Sequence, residues 1–137
     1  DDDYLKDIIK LIEKYKLSGI VATNTTIQRP ETKNSKCKKV YSEEGGLSGV
    51  PLRERSTEMI SKIYKMTDGK VPIIGVGGVF TADDAWEKIA AGASLIQLYT
   101  GLVFEGPGIA RNIVSELKKR VANEGFESIS DVIGINA

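Results

Sequence analysis

The residues from 71 to 100, VPIIGVGGVFTADDAWEKIAAGASLIQLYT, constrain the fold of this chain more than any other stretch. Val71, Pro72, Ile73, Ile74, Gly75 and Val76 form an apolar run without polar alternation, the pattern of a parallel strand covered on both faces. Gly77 and Gly78 follow at its C-terminal end, where missing side chains free the dihedrals and let backbone N–H groups approach an anion. Thr81 then reads as an N-cap with Asp84 as its capping-box partner, Asp standing where Glu or Gln is usual. This predicts a helix over 82–91, ended by Gly92. Residues 93–98 predict the next buried strand, with Tyr99-Thr100-Gly101 as the loop at its C-terminal end. A glycine pair and a Tyr-Thr-Gly turn therefore share one rim of a sheet, the rim where α/β proteins bind ligands. The glycines by themselves suit a phosphate cradle and a pair of tight turns equally well.

The remaining chain supplies the layers such a sheet needs. Leu5, Ile8, Ile9 and Ile12 mark the inner stripe of an amphipathic helix, closed by Ser18-Gly19. Residues 20–23 predict a short buried strand running directly into Asn24-Thr25-Thr26, an amide and two hydroxyls placed to cap a turn or to meet a ligand. Residues 27–46 form a long polar connection with no sustained period, the mark of an active-site loop or a disordered insertion. Its lysines at 33, 36, 38 and 39 read as a solvated surface, and Cys37 among them as incidental. Gly45-Gly46-Leu47-Ser48-Gly49 is a second glycine-rich segment, either a hinge or backbone laid against a flat or anionic ligand. A helical pattern through Ile60, Ile63 and Tyr64 follows Pro51. Gly106-Pro107-Gly108 opens a helix striped by Ile109, Ile113, Leu117 and Val121, and Phe126, Ile129, Val132 and Ile133 predict a short terminal helix.

Alternation of this kind implies parallel strands joined by right-handed crossovers. Three such strands leave two bare edges and an uncovered face. The expected architecture is accordingly α/β, the C-terminal portion of a (β/α)8 TIM barrel, in which the loops after the last two strands commonly hold a phosphate. The chain starts Asp1-Asp2-Asp3 without a methionine, and the expectation is that residues 1–137 are the C-terminal part of one barrel domain whose front strands lie on missing chain.

Composition narrows the chemistry. With 19 acidic and 19 basic residues there is no net charge, so nucleic acid is not an expected partner. The absence of histidine removes the usual general base and the commonest metal ligand, and a single cysteine excludes a disulfide framework. No catalytic base and no metal site are read from this chain.

The motifs ATNTT, EGGLSGVPL, PIIGVGGV, AGASLIQLYTG and GFESISDVIG occur in order, and together they resemble the C-terminal half of class 2 dihydroorotate dehydrogenases. The resemblance implies an FMN enzyme of pyrimidine biosynthesis that oxidises dihydroorotate to orotate and passes electrons to a quinone. It implies that Thr23 contacts the flavin, that Asn24 and Thr25 hydrogen-bond the substrate, and that Ser48 and Gly49 lie against the cofactor. Gly77, Gly78, Tyr99 and Thr100 would cradle the FMN phosphate. A planar pyrimidine suits an amide such as Asn24, which carries both donors and an acceptor. In the family the base is a serine on an active-site loop in the earlier part of the chain, and a flavin-supporting lysine lies just before the point where this sequence starts. Ser48 and Ser56 are not substitutes by position. The family meets the membrane and its quinone through N-terminal helices that are also not in this sequence. The implied location is the mitochondrial inner membrane, or alternatively the bacterial cytoplasmic membrane. Two other readings stay open, another phosphate- or FMN-binding barrel enzyme and a catalytically incomplete half-barrel.

Overall fold

The structure is a computed structural model that describes residues 2–137, with Asp1 outside them. Three short parallel strands, β1 (Ile20–Ala22), β2 (Ile73–Val76) and β3 (Leu95–Gln97), stand in the order β1-β2-β3. In register, Val21 lies beside Ile74 and Ile74 beside Leu95. The sheet is thus the predicted one, with each strand trimmed to its hydrogen-bonded centre. The helices are α1 (Asp2–Tyr15), α2 (Ser35–Tyr41), α3 (Arg53–Met66), α4 (Ala82–Ala90), α5 (Thr100–Glu105) and α6 (Gly108–Asn123). Single 3-10 turns at Val50–Leu52 and Ile129–Val132 complete the elements.

Several local expectations are corrected. Helix α1 ends before Ser18-Gly19, because Lys16 takes a left-handed conformation (φ 54°). The Leu17 N–H then reaches Ile12 O at 3.0 Å and the Lys16 N–H reaches Glu13 O at 3.2 Å, a Schellman closure that does not wait for the glycine. The 27–46 connection is not structureless: Asn34 caps α2, its side chain accepting the Lys36 N–H at 3.0 Å. That helix buries no residue, so it leaves no apolar period to read. Thr100 and Gly101 are not loop but the first turn of α5. The predicted terminal helix is one 3-10 turn, since Ser128 and Asp131 close a capping box around it.

The outer face of the sheet carries the core. Ala22, Ile73 and Ala93 pack with Leu5 and Ile9 of α1 and with Ile60 and Ile63 of α3. Val79 and Ala85 pack with Ile109 and Ile113 of α6, while Trp86, Ile89 and Ala90 of α4 enclose Val132. Ile96 of β3 touches all three groups and joins them into one layer. Trp86 is 4% exposed, with the Phe126 ring 6.1 Å away and the Arg120 guanidinium 4.2 Å from its own ring centre. Tyr64 fills a joint where a Cβ on Gly92 or Gly134 would stand 2.4 or 2.2 Å from its ring, so both positions demand glycine by close approach. The opposite face is bare: Val21 on β1 is 53% and Leu95 on β3 63% exposed, an unusual state for apolar residues of a parallel sheet.

Candidate functional site

The C-terminal ends of the three strands open onto one cleft of about 470 Å³, a size that suits a small-molecule ligand. β1 leads to Thr23, Asn24 and Thr25 on its wall; β2 leads to Gly77 and Gly78; β3 leads to Tyr99 and Thr100. Ser48 and Gly49 reach the same wall from the segment before α3. All nine positions singled out in the sequence therefore border a single cleft, although they come from four separate segments.

Each stretch arrives for a local reason. The Thr23 N–H bonds Val76 O at 3.1 Å, carrying the β1–β2 pairing one residue past the strand. The Thr23 hydroxyl is, among the described residues, the one buried side-chain polar atom without a hydrogen-bond partner. A buried hydroxyl left so is costly, which marks this atom as one that a ligand would satisfy. Asn24 Oδ1 accepts the Thr25 N–H at 2.8 Å and the Thr25 hydroxyl at 3.4 Å, fixing the amide and turning its oxygen toward its neighbour. Gly46 lies so close that a Cβ there would sit 1.8 Å from Thr25 Oγ1. The Thr100 hydroxyl donates to Ser48 Oγ at 3.0 Å and thereby ties the segment before α3 to the end of β3.

The glycine pair rests on a charged support. Gly77 (φ 126°) and Gly78 (φ 69°) occupy conformations that side chains resist, and a Cβ on Gly78 would stand 2.9 Å from the Arg53 backbone. Asp84, 3% exposed, accepts the N–H groups of Phe80 and Thr81, both at 2.9 Å, with Oδ2, and pairs with the Arg53 guanidinium through Oδ1. Burial pushes the Asp84 carboxyl up, but the Arg53 hydrogen bond and those amides outweigh it and hold the group below the usual carboxylate range. The Lys88 ammonium, fully buried, donates to Arg53 O at 3.2 Å and to Thr57 Oγ1 at 3.0 Å. Burial lowers its pKa to about 8, against the pull of Asp84 and Glu87.

The cleft's walls are legible in the sequence, and this support is not. Asp84 is legible as a cap, but nothing local marks Arg53 as its partner, or Arg53 O and Thr57 Oγ1 as the partners of a buried Lys88. The polar lining of the cleft consists of hydroxyls, the Asn24 and Gln97 amides and backbone, groups that can bind and orient a ligand by hydrogen bonds and dipoles.

Comparison with known proteins places this arrangement. A family profile described as "Dihydroorotate dehydrogenase" matches residues 1–121. The chain is 51% identical over 139 residues to "Dihydroorotate dehydrogenase (quinone)" of Trichodesmium erythraeum, covering 98% of this chain and 37% of that protein. It is 50% identical over 144 residues to the protein of the same name from Rippkaea orientalis, covering 99% and 37%. Among solved structures, the ligand-free DHODH of Eimeria tenella superposes with a TM-score of 0.90 at 42% identity, covering 99% of this chain and 37% of that one. The same organism's DHODH in complex with ferulenol gives 0.89 at 39%, covering 99% and 35%. The chain thus spans little more than a third of the length of the relatives it matches, and within that span its sheet and helices are a partial TIM barrel. The chain belongs to the dihydroorotate dehydrogenase family.

Proposed function

We propose that this chain supplies the flavin-phosphate and substrate contacts of a quinone-dependent dihydroorotate dehydrogenase, as the C-terminal part of one barrel domain completed by chain outside these 137 residues. The observation that carries the reading is the gathering of Thr23, Asn24, Ser48, Gly78 and Thr100 from separate segments around one cleft at the C-terminal ends of parallel strands. The bare sheet face at Val21 and Leu95 supports the barrel part of the reading, because the inner side of such a sheet is packed when the barrel closes.

The residues present fit FMN. The partnerless Thr23 hydroxyl offers a hydrogen bond in the cleft, and the glycine pair lets backbone N–H groups approach a phosphate without a Cβ in the way. When bound, FMN supplies two-electron redox chemistry that amino-acid side chains lack. Asn24 and Thr25 hold and orient dihydroorotate and orotate through their fixed polar groups, the oxygen of Asn24 already committed to Thr25 and its NH2 free to donate. The base is assigned to chain outside this sequence, since the family's base is a serine upstream of it and Ser48, which does border the cleft, does not stand at that position. Beside Tyr99, the exposed Leu102, Val103 and Phe104 of α5 give an apolar surface suited to a quinone.

For location we retain the bacterial cytoplasmic membrane. The cited curated relatives come from cyanobacteria, and the mitochondrial expectation finds no support in them. No helix among the described residues is long and apolar enough to cross a membrane, so any attachment is assigned to other chain.

The test is an absorption spectrum of the complete protein, native and denatured, with dihydroorotate oxidation assayed alongside. Released FMN and quinone reduction are the expected results, and a colourless, inactive complete protein would overturn the reading. Asn24→Ala is expected to keep the flavin while lowering kcat/KM by about 100-fold or more. Equal loss of both would show that Asn24 serves the cofactor instead.

A further inference from the structure

Arg29 lies in the long connection after β1 and hydrogen-bonds none of the residues assigned above by its side chain, yet its guanidinium donates five hydrogen bonds to backbone carbonyls. Nε donates to Tyr41 O at 3.2 Å. Nη1 donates to Thr26 O at 3.0 Å and more weakly to Gln28 O at 3.5 Å. Nη2 donates to Gly45 O at 2.7 Å and to Glu43 O at 3.5 Å. All five N–H donors of the planar fork thus have a backbone carbonyl within 3.5 Å, drawn from both ends of the connection.

These carbonyls belong to the frame of the cleft. Thr26, 8% exposed, exchanges two hydrogen bonds with Leu47, at 3.1 and 2.7 Å, and so bridges the start of the connection to its end. One side of that bridge continues directly into Asn24-Thr25, and the other into Ser48-Gly49. Thr26 O is bonded by both Leu47 and Arg29, and Gly45 O by Arg29 one residue before Gly46, which is packed on Thr25 Oγ1. A connection of this length has a large entropic cost of closure, and one bridge of two hydrogen bonds is a weak hold on it.

We infer that Arg29 is a positioning residue for substrate: it staples the 27–46 connection shut and thereby holds Asn24-Thr25 at a fixed distance from Ser48-Gly49. The inference rests on the substrate reading of Asn24 and Thr25 given above. Arginine is required at this position because a lysine's three donors radiate from one nitrogen and cannot span carbonyls on both sides of the loop. The charge is therefore not the working property; the fork is.

The experiment uses the complete enzyme, wild type, Arg29→Lys and Arg29→Ala, with three readouts. Trypsin cleavage at the exposed lysines 33, 36, 38 and 39 reads loop closure, orotate titration followed by the flavin spectrum reads substrate affinity, and flavin content reads the remainder of the site. Expected is cleavage about tenfold faster and orotate affinity about tenfold weaker in both variants, with flavin content kept. Arg29→Lys matching the wild type would overturn the inference, as would faster cleavage with unchanged orotate affinity or flavin lost in proportion to orotate binding. If neither variant folds, hydrogen exchange on the wild type decides: the Thr26 and Leu47 amides are expected to be protected like those of β1, and exchange at the rate of an open loop would overturn the staple. A wild type that binds no orotate would instead sink the substrate reading, leaving the cleavage and exchange readouts to judge Arg29 alone.

Discussion

Lys88 shows how far a residue's surroundings decide its chemistry. In WEKIAAG it looks like any solvated helix cation, but it is fully buried, with Arg53 O and Thr57 Oγ1 as its partners. Burial lowers its pKa from 10.5 to about 8. Between those values the unfolded chain binds the proton more tightly than the folded one, so this group makes the fold more stable as pH rises, and its full desolvation cost is felt below about pH 8. Relative to Lys88→Met, the wild type is expected to gain roughly 2 kcal/mol between about pH 7 and pH 9.5, measured as the difference in denaturant midpoints of the complete protein. Parallel curves for the two proteins would mean that the ammonium is better solvated than its position implies. Asp84 sits at the other end of the same cluster with the opposite lesson: its carboxylate stays charged because Arg53 and two amides meet it.

At the scale of elements, the loop between β2 and α4 is held by packing that its own sequence does not declare. Gly77-Gly78 and the Thr81–Asp84 capping box are legible because each depends on residues within a few positions. The Arg53 backbone against which Gly78 lies comes from a helix 25 residues away in sequence, roughly, and no local pattern announces it. Helix α5 is illegible in the sequence for the same reason: six residues without a side-chain cap make no periodic signal, and its first turn is set by Gly101, where a Cβ would meet Val79 O at 2.3 Å. The convergence of Thr23, Ser48 and Tyr99 on one cleft was readable only through the order of the strands and the family motifs, never from any one segment. Gly78→Ala is expected to cost about 2 kcal/mol or more, since it combines a left-handed dihedral with a clash against backbone that cannot yield. Flavin content and melting temperature of the complete protein should fall together, and an unchanged variant would mean that Arg53 and the loop separate without penalty.

Seen as a whole molecule, the chain is finished on one side and open on the other. Its outer layer joins α1, α3, α4 and α6 through Ile96, while Val21 and Leu95 face solvent and β1 and β3 are free sheet edges. Such a surface attracts other apolar surfaces and other strands. The isolated 137 residues are expected to bind a hydrophobic dye and to self-associate in sedimentation, and both behaviours should vanish when the remaining barrel strands are supplied. A monomer that binds no dye and unfolds in one sharp transition would refute this division. The two sides can be watched separately because of where the single tryptophan lies. Trp86 is enclosed by Phe126 and Arg120 in the finished layer, away from the bare face. Its ultraviolet emission is therefore a built-in lamp for the outer shell alone: blue-shifted light from the isolated chain would show that shell assembled before any barrel exists for it to enclose.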